Sequence, residues 1–271
     1  MNDYILLDSG NHKKLEQFGD YLLIRPCPQA IWPPASPKLW AKAHDEFDRE
    51  KEGKWKKKSL PSSWVVDFNG IKLKLSPTNF GHIGLFPEHS SQWNFLEQNL
   101  KKSKLKVLNL FAYSGAATLF LAKQGVDVCH LDASKGMVKW ARENAVINNL
   151  EKAPIRWIID DAIKFLKRES KRNNHYDGIL LDPPTYGRGS QGQVFKIEED
   201  ILLLLSLVKE VLTKEPSFVL LTAHTPGFTP LILEQLMVQF FKKGKIESGE
   251  MTLSSTTPLP SGAFVRWVPH V

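Results

Sequence analysis

The sequence predicts an α/β protein with a parallel sheet, preceded by a smaller β-rich segment. From about Leu105 onward, short apolar runs typical of buried strands alternate with stretches of helical periodicity. Two strand-like runs end the chain without a helix between them. Residues 1 to about 85 carry extended runs and turn signals instead of this alternation. Because alternating strands and helices form parallel sheets with helices on both faces, these observations favour the α/β class.

The N-terminal segment is predicted to be a compact β-rich module over residues 1–85, ahead of a main domain over 86–271. DYILLDSG and DYLLIRPCP are extended runs, and the second closes in prolines. SWVVDFNGIKLKLSP predicts a hairpin, since Asn69-Gly70 is a strong signal for a two-residue turn. IWPPASPKLW is too rich in proline to be helical throughout. A charged connection is expected near residues 45–60.

The main domain contains five predicted parallel strands. They read, in chain order, KLKVLNLF, VDVCHLD, PIRWIID, YDGILLD and SFVLLTA. Each is followed by a helical stretch, and the apolar run ILLLLSLV (201–208) reads as a buried helix. The last two runs, KIESGEMTLSS and GAFVRWVP, are joined by a proline-containing segment near 257–262. We expect them to pair antiparallel at one edge of the sheet.

Composition limits the class of protein. The chain has 271 residues and is 42% hydrophobic, which is enough for a sizeable core and too much for a disordered chain. A membrane span is not predicted, since no apolar run reaches the ~18 residues that spanning requires. The N-terminus lacks the pattern of a secretory signal, so a cytoplasmic location is expected. The two cysteines, Cys27 and Cys129, predict neither a metal set nor a disulfide framework, and the histidines show no metal-ligand spacing.

The net charge of +7 is concentrated in three basic runs, at residues 51–58, 101–106 and 164–172. A solvated surface is the simpler interpretation of each run alone. Together, with Trp55 and Phe165 interleaved, they favour an anionic polymer such as RNA as partner. Within the first run, four lysines are expected to help grip the substrate: Lys54, Lys56, Lys57 and Lys58. The sequence gives no signal for an oligomeric state.

The ends of the first four predicted strands carry a turn of small residues and then three acids. NLFAYSGAATL (109–119) forms the turn, in which small side chains allow close approach of a ligand to the backbone. Asp132, Asp161 and Asp182 follow the next three strands. Each feature alone is equally compatible with ordinary turn chemistry or a helix cap. Since ligands bind at the carboxyl ends of strands in open α/β sheets, the combination predicts one shared cofactor site.

These motifs resemble those of class I S-adenosylmethionine-dependent methyltransferases, over the chain from about residue 80 to its end. LNLFAYSGAATL, LDASKGMVKWARENAVINN and LDPPTYGRG resemble, more narrowly, bacterial 23S ribosomal RNA methyltransferases of the cytosine-C5 and guanine-modifying group. The resemblance implies a Rossmann-like seven-stranded sheet with an antiparallel C-terminal strand pair, and S-adenosyl-L-methionine as cofactor. Relatives often carry a complete small RNA-binding barrel, for which the N-terminal segment of this chain is short.

The resemblance also implies a role for each candidate cofactor residue. The methionine end of the cofactor would be lined by residues of the small turn: Asn109, Phe111, Ala112, Ser114 and Gly115. Asp132 would accept hydrogen bonds from the ribose, and Asp161 with Ala162 would contact the adenine. HIGLFPEHSSQW (82–93) resembles an entry segment that closes over the cofactor, so that Phe86, Pro87 and Glu88 would be near it. Asp182 would also be near the cofactor.

The segment Asp182-Pro183-Pro184-Thr185-Tyr186 is the predicted catalytic element. The Asp182 carboxylate and the Pro183 carbonyl could accept the hydrogens of an exocyclic amine and make its nitrogen more nucleophilic. Prolines restrict the backbone, so these oxygens can be held in a fixed arrangement. Tyr186 is expected to stack on the substrate base and Arg188, in a flexible loop, to bind a phosphate. The alternative is a plain strand terminator with an ordinary loop.

Nitrogen is the predicted acceptor atom. Methylation at cytosine C5 needs a cysteine nucleophile, which related enzymes place after the fifth strand. Here that place reads LLTAHTPGF, with Ala223 and His224. His224 is predicted to contact the substrate base or accept a proton, and a structural histidine is at least as compatible with this position.

The sequence therefore predicts an enzyme that transfers a methyl group from S-adenosylmethionine to a base of RNA, with ribosomal RNA favoured. One alternative is a methyltransferase that acts on a protein or a small molecule. Another is a non-catalytic module that binds the cofactor and RNA.

Overall fold

The computed structural model describes residues 2–49, 53–57, 59–100, 104–189, 192, 194–255 and 258–270. The chain forms two compact units, one of Met1–Ser90 with Thr252–Pro260 and one of Ser91–Met251 with Ser261–Val271. Lys58 lies outside the described residues, as do parts of the basic runs 51–58 and 101–106.

The first unit contains a five-stranded sheet in the order β1-β2-β3-β4-β5 and a separate hairpin, β6–β7. Its elements are β1 (Tyr4–Gly10), β2 (Lys13–Phe18), β3 (Tyr21–Pro26), α1 (Pro37–Trp40), β4 (Asp45–Asp48), β5 (Lys54–Trp55), β6 (Trp64–Phe68), β7 (Ile71–Leu75) and a 3-10 turn at Pro87–His89. The predicted hairpin is confirmed at β6–β7. Its turn residues, Asn69 and Gly70, have φ of 52° and 80°, the left-handed pair that a type I′ turn requires.

The segment 45–60 was expected to be a charged connection, but it contains two strands, β4 and β5. The expectation was wrong in that respect. β4 extends the sheet beside β3, and its charged residues are paired rather than solvated. The buried carboxylate of Asp45 accepts hydrogen bonds from the backbone N–H groups of Glu46 and Lys57, at 2.8 and 2.9 Å. Strands are recognised in a sequence by alternating apolar residues. β4 is composed mainly of acidic residues that pair within the protein, so the sequence pattern did not predict it.

The second unit is built on a seven-stranded sheet in the order β10-β9-β8-β11-β14-β16-β15. Its elements, with helix α2 starting at the boundary, are α2 (Ser90–Gln98), β8 (Lys106–Leu110), α3 (Ala116–Lys123), β9 (Asp127–Asp132), α4 (Lys135–Ile147), β10 (Ile155–Ile159), α5 (Ala162–Lys171), β11 (Gly178–Leu181), β12 (Tyr186–Arg188), β13 (Val194–Lys196), α6 (Ile197–Glu210), β14 (Phe218–Ala223), α7 (Pro230–Phe240), β15 (Lys245–Leu253) and β16 (Leu259–Val268). β8 to β11 and β14 are parallel, and β16 is antiparallel to β14. The predicted α/β class with an antiparallel C-terminal pair is confirmed.

Buried aliphatic and aromatic side chains between the sheet and its helices form the core of this unit. Helix α6 contributes one apolar face, with Ile201, Leu204 and Val208 nearly inaccessible to solvent. The helix predicted over 201–208 is confirmed, but it is buried on one face only, since Leu202 and Leu203 are 54% and 42% exposed. No helix in the described part of the chain combines the length and apolar character needed to cross a membrane.

Candidate active site

The topology of the sheet creates a switch point between β8 and β11. From β8 the chain moves outward to β9 and β10, and it then returns to the other side of β8 to form β11. The registers align the carboxyl ends of the strands, since Leu110 lies opposite both Leu131 and Leu181, and Asp132 lies opposite Ile159. The loops that leave β8 and β11 therefore emerge side by side, where open α/β sheets bind ligands.

The turn after β8 has an unusual backbone. Phe111, Tyr113 and Gly115 all have positive φ, at 57°, 51° and 88°. The turn is fixed to its neighbours, because the Ala112 N–H donates to the Leu131 carbonyl oxygen at 3.0 Å and the Asn144 amide donates to the Ser114 carbonyl oxygen at 2.9 Å. Left-handed backbone in bulky residues persists only where the surroundings hold it, and it is concentrated at functional sites.

Gly115 allows this turn to lie against the sheet and helix α4. A Cβ atom at Gly115 would lie only 2.9 Å from the Cβ of Ala141, so no other residue fits without displacement. The same turn starts α3, and Gly115 occupies its N-cap position. The glycine is therefore required for packing against α4, and the predicted close approach of a ligand to this backbone stays a prediction.

Asn109 lies just before this turn and is buried within the sheet. Its Nδ2 donates a hydrogen bond to the Thr118 hydroxyl at 2.9 Å. Its predicted contact with the methionine end of the cofactor stays a prediction, since its amide nitrogen is directed to α3.

Asp132 ends β9 and is bound to the turn after β8. Its carboxylate accepts the backbone N–H of Tyr113 at 2.9 Å on one oxygen and that of Ser134 at 2.8 Å on the other. Each carboxylate oxygen has two lone pairs, so each can accept one more hydrogen bond. Burial raises the pKa of Asp132, and the two backbone donors only partly oppose that effect. The residue thus combines an anchored position with remaining acceptor capacity, as a ribose contact requires.

Asp161 is the N-cap of α5, and Ala162 is the first residue of that helix. One Asp161 carboxylate oxygen accepts the backbone N–H of Lys164 at 2.9 Å. Asp160, the residue before Asp161, contacts the end of β9, since its N–H donates to the Asp132 carbonyl oxygen at 3.2 Å. The capping function proposed as the alternative is therefore present, and the adenine contact stays a prediction that would use the second carboxylate oxygen.

Asp182 follows β11 and is oriented by the neighbouring strand β14. The Thr222 hydroxyl donates to Asp182 Oδ1 at 2.7 Å. The sequence reading missed Thr222, although a signal was available. Aligning GILL of β11 with FVLL of β14 places Thr222 directly beside Asp182, which is the observed register.

His224 lies beyond Thr222 on the same chain segment. Its Nε2 is 3.7 Å from Asp182 Oδ1, and both side chains are partly exposed, at 34% and 29%. A second contact joins the two loops, since the hydroxyls of Thr185 and Thr225 are 2.8 Å apart. The end of β14 thus supports the segment 182–186 at two points.

The segment after Asp182 continues into β12, which forms a β-hairpin with β13, so the first part of the expected flexible loop is a strand; Ser190 and Gln191 of that loop lie outside the described residues. β12 pairs antiparallel with β13, with Tyr186 opposite Lys196 and Gly187 opposite Phe195. Tyr186 is 48% exposed on one face, and its hydroxyl accepts a hydrogen bond from Arg188 Nε at 2.7 Å. The hairpin therefore presents an aromatic ring and a guanidinium group together on its outer face.

The inner face of the hairpin contacts the turn after β8. Phe195 is buried, and its ring centroid lies 5.3 Å from that of Phe111. The contact shows that the loops after β8 and β11 meet in one place. The sequence reading also missed Phe195, because it lies beyond the recognised motif and no hairpin was expected there.

Phe86 and Pro87 belong to the first unit. The Phe86 ring contacts the rings of His82 and His89, with centroids 5.1 and 6.2 Å away, and Pro87 begins the 3-10 turn. Their predicted contact with the cofactor stays a prediction.

Two of the lysines predicted to grip the substrate have partners within the first unit. Lys56 Nζ lies 2.9 Å from a Glu46 carboxylate oxygen, and Lys57 Nζ donates to the Ala43 carbonyl oxygen at 2.7 Å. The Glu46 carboxylate offsets the charge of Lys56, whereas the neutral Ala43 carbonyl only holds the Lys57 ammonium in place.

Both cysteines are buried and unsuited to nucleophilic attack. Burial raises the pKa of the Cys129 thiol to about 11, and it raises the pKa of Cys27 as well. Since the thiolate is the nucleophile, both thiols stay protonated and unreactive near neutral pH. Nitrogen as the acceptor atom stays a prediction.

Comparison with known proteins supports the assignment made from the motifs. A family model described as S-adenosylmethionine-dependent methyltransferase matches residues 40–236. The crystal structure of a SAM-dependent methyltransferase from Agrobacterium tumefaciens is 37% identical and superposes with a TM-score of 0.94, covering 99% of this chain and 91% of that one. SMU.776, a candidate methyltransferase complexed with SAH, shares the fold at 17% identity and a TM-score of 0.79, covering 98% and 76% of the two chains.

Among curated relatives, the ribosomal RNA large subunit methyltransferase K/L of Pseudoalteromonas translucida is 32% identical over 151 residues. The match covers 55% of this chain and 21% of that protein. The chain thus spans about a fifth of the length of this relative.

Proposed function

Because the chain belongs to the S-adenosylmethionine-dependent methyltransferase family, we propose that it transfers the cofactor's methyl group to a base nitrogen of RNA. We propose ribosomal RNA as the substrate, which would place the enzyme in the cytoplasm. The name of the Pseudoalteromonas relative supports an RNA substrate. The basic runs and the aromatic and cationic side chains beside Asp182 support it independently. The proposed division of labour assigns catalysis to residues 86–271 and assistance with substrate binding to residues 1–85.

The residues at the strand ends fit the cofactor. The turn 111–115 is held in a left-handed backbone conformation at the carboxyl end of β8, and Asp132 retains acceptor capacity on both oxygens. In the proposal this turn holds the methionine end, Asp132 the ribose hydroxyls, and Asp161 with Ala162 the adenine. When bound, the cofactor supplies an electrophilic methyl group on a sulfonium.

Asp182 is the proposed catalytic residue, together with the Pro183 carbonyl. Thr222 orients the Asp182 carboxylate through Oδ1, and in the proposal that carboxylate accepts a hydrogen of the substrate's exocyclic amine. Accepting the amine hydrogens localises the nitrogen lone pair and directs it towards the methyl group, which is an orientation effect. His224, 3.7 Å from the same carboxylate, is placed to share the proton that the methylated amine releases.

The single observation that carries this proposal is the junction of the two loops at the switch point. The turn 111–115 and the hairpin after Asp182 contact each other through Phe111 and Phe195. A cofactor bound by the first loop and a base bound beside the second would therefore be adjacent. A non-catalytic binder would have no need for a carboxylate fixed in this position.

The test is a transfer assay with S-adenosylmethionine labelled in its methyl group. Total RNA from cells that lack the protein is the substrate, and the labelled fragment is located by mass spectrometry. We expect one labelled nucleotide in ribosomal RNA, and we expect Asp182→Ala to abolish transfer while calorimetry with S-adenosylhomocysteine shows nearly unchanged binding. Label found only in protein would favour the alternative substrate class, and full activity in Asp182→Ala would remove the proposed role of that residue.

A further inference from the structure

Three polar side chains lie beneath the turn 111–115, and two of them, Thr118 and His130, take no part in the proposed chemistry. Asn109 on β8 and His130 on β9 are register partners, so their side chains share one face of the sheet. Thr118, in the first turn of α3, lies between them. Its hydroxyl oxygen is 2.9 Å from Asn109 Nδ2 and 2.9 Å from His130 Nδ1. All three side chains are buried, and we call this group the Asn109–Thr118–His130 relay.

His130 is an unfavourable residue for a core position. The ring is inaccessible to solvent, and its Nε2 has no hydrogen-bond partner among the described residues. The adjacent ring of Trp157, its register partner on β10, lies 4.8 Å away. A buried polar atom without a partner costs free energy, which a leucine of similar volume would avoid. The favourable free energy that offsets this cost comes from the other ring nitrogen, Nδ1, which contacts the Thr118 hydroxyl.

The relay contacts the turn as well as the sheet. A Cβ at Gly115 would lie 3.6 Å from His130 Cε1, so the glycine backbone passes over the imidazole ring. Thr118 follows Gly115 by one helical turn, and its hydroxyl connects the start of α3 to both β8 and β9. A shift of Thr118 would therefore displace the backbone of residues 111–115, whose positive φ values depend on being held from outside.

We propose that Thr118 and His130 are positioning residues for the methionine end of the cofactor. They fix the start of α3 on the sheet and thereby hold the turn 111–115 in its binding conformation. The inference rests on the proposed function, which places the methionine end of the cofactor at this turn. It predicts that damage to the relay weakens contacts with the methionine portion and leaves contacts with the adenosine portion intact, because Asp132 keeps the Ser134 N–H and Asp161 the Lys164 N–H, two donors that lie outside the turn.

The test compares two ligands, S-adenosylhomocysteine and adenosine, by calorimetry. Thr118→Val removes the hydroxyl at constant shape, and Thr118→Ser is the matched control that keeps it. For Thr118→Val we expect the dissociation constant of S-adenosylhomocysteine to rise about three- to tenfold, the effect of one lost positioning hydrogen bond. That of adenosine should be unchanged, and Thr118→Ser should resemble the wild type.

A second pair of variants covers the case in which Thr118→Val does not fold. His130→Leu removes the partner of Thr118, whereas His130→Asn keeps a polar group near the position of Nδ1. We expect the same selective loss in His130→Leu only. Equal losses for both ligands, or no loss for either, would overturn the inference and leave the proposed function standing. Failure of the wild type to bind S-adenosylhomocysteine would overturn both.

Discussion

The three aspartates at the strand ends show how one residue type acquires different properties from its surroundings. Asp132 is half-buried and anchored by two backbone donors, Asp161 caps a helix, and Asp182 is oriented by a threonine hydroxyl. The sequence predicted the position of each acid, since all three follow apolar strands. It did not predict their partners, because a hydrogen bond from Thr222 or Tyr113 depends on strand order, which the sequence does not state.

Binding of S-adenosylhomocysteine should depend on the ionisation of Asp132. Burial raises its pKa, so the carboxylate takes up a proton at a higher pH than an ordinary aspartate, whose pKa is about 3.9. As the pH falls through the raised value, protonation removes the negative charge and part of the acceptor capacity that the proposed ribose contact uses, so affinity should decrease. Calorimetry as a function of pH checks this, with Asp132→Asn as the control, which should bind weakly and without this pH dependence.

The same pKa shift has a consequence for stability. Between the ordinary and the raised pKa the folded state binds more protons than the unfolded state, so the contribution of Asp132 to stability falls as the pH rises through that window. Asp132→Asn should remove this contribution from the pH profile of the free energy of unfolding. If Asp132→Asn had the same pH profile of stability as the wild type, the pKa of Asp132 would not be raised in the folded protein.

Loss of the Thr222 hydroxyl should slow methyl transfer without weakening cofactor binding. Thr222→Val removes the hydroxyl that orients Asp182 while keeping the shape of the side chain. A hydrogen bond to a charged group contributes about 1.5–3 kcal/mol, so the turnover number should fall roughly tenfold to a hundredfold. The labelled-methyl assay measures this fall, and Thr222→Ser, which keeps the hydroxyl, should recover most of the activity. Equal activity in the valine variant would contradict the orienting role.

At the scale of elements, the sequence was most informative where apolar periodicity is strong. The five parallel strands and their helices were predicted from apolar runs and helical periodicity in the sequence. Four short strands were missed. β4 and β5 are charged, and β12 and β13 contain only three residues each, so neither pair carries the alternation by which strands are recognised. They are stabilised by contacts distant in sequence, such as Phe195 with Phe111.

The hairpin β12–β13 should bind single-stranded RNA through two separable contributions. Tyr186→Ala should weaken binding of a labelled oligoadenylate about five- to 150-fold, since stacking of one base contributes ~1–3 kcal/mol, with the salt dependence unchanged. Arg188→Gln should lower the slope of log affinity against log salt by about 0.7, the effect of one lost phosphate contact.

Fluorescence anisotropy at several salt concentrations measures both quantities. Val194→Ala, which changes an exposed apolar side chain on the same face, is the matched control and should alter neither. A salt slope that is the same in wild type and Arg188→Gln would show that Arg188 does not contact a phosphate.

At the scale of the molecule, the account depends on the order of the strands in the sheet. Because β8 lies between β9 and β11, three motifs separated by tens of residues in the chain are brought to one edge. The sequence predicted this convergence from the general behaviour of parallel sheets, and the registers confirm it. The methyltransferase family assignment agrees with the same arrangement.

The most direct test of this claim is a crystal structure of the protein with S-adenosylhomocysteine. The account predicts one ligand at the carboxyl ends of β8 to β10, with the ribose on Asp132, the adenine beside Asp161 and the homocysteine end along residues 111–115. The sulfur atom should face the segment that begins at Asp182. A ligand bound away from the switch point, or with its sulfur directed away from Asp182, would contradict the central claim.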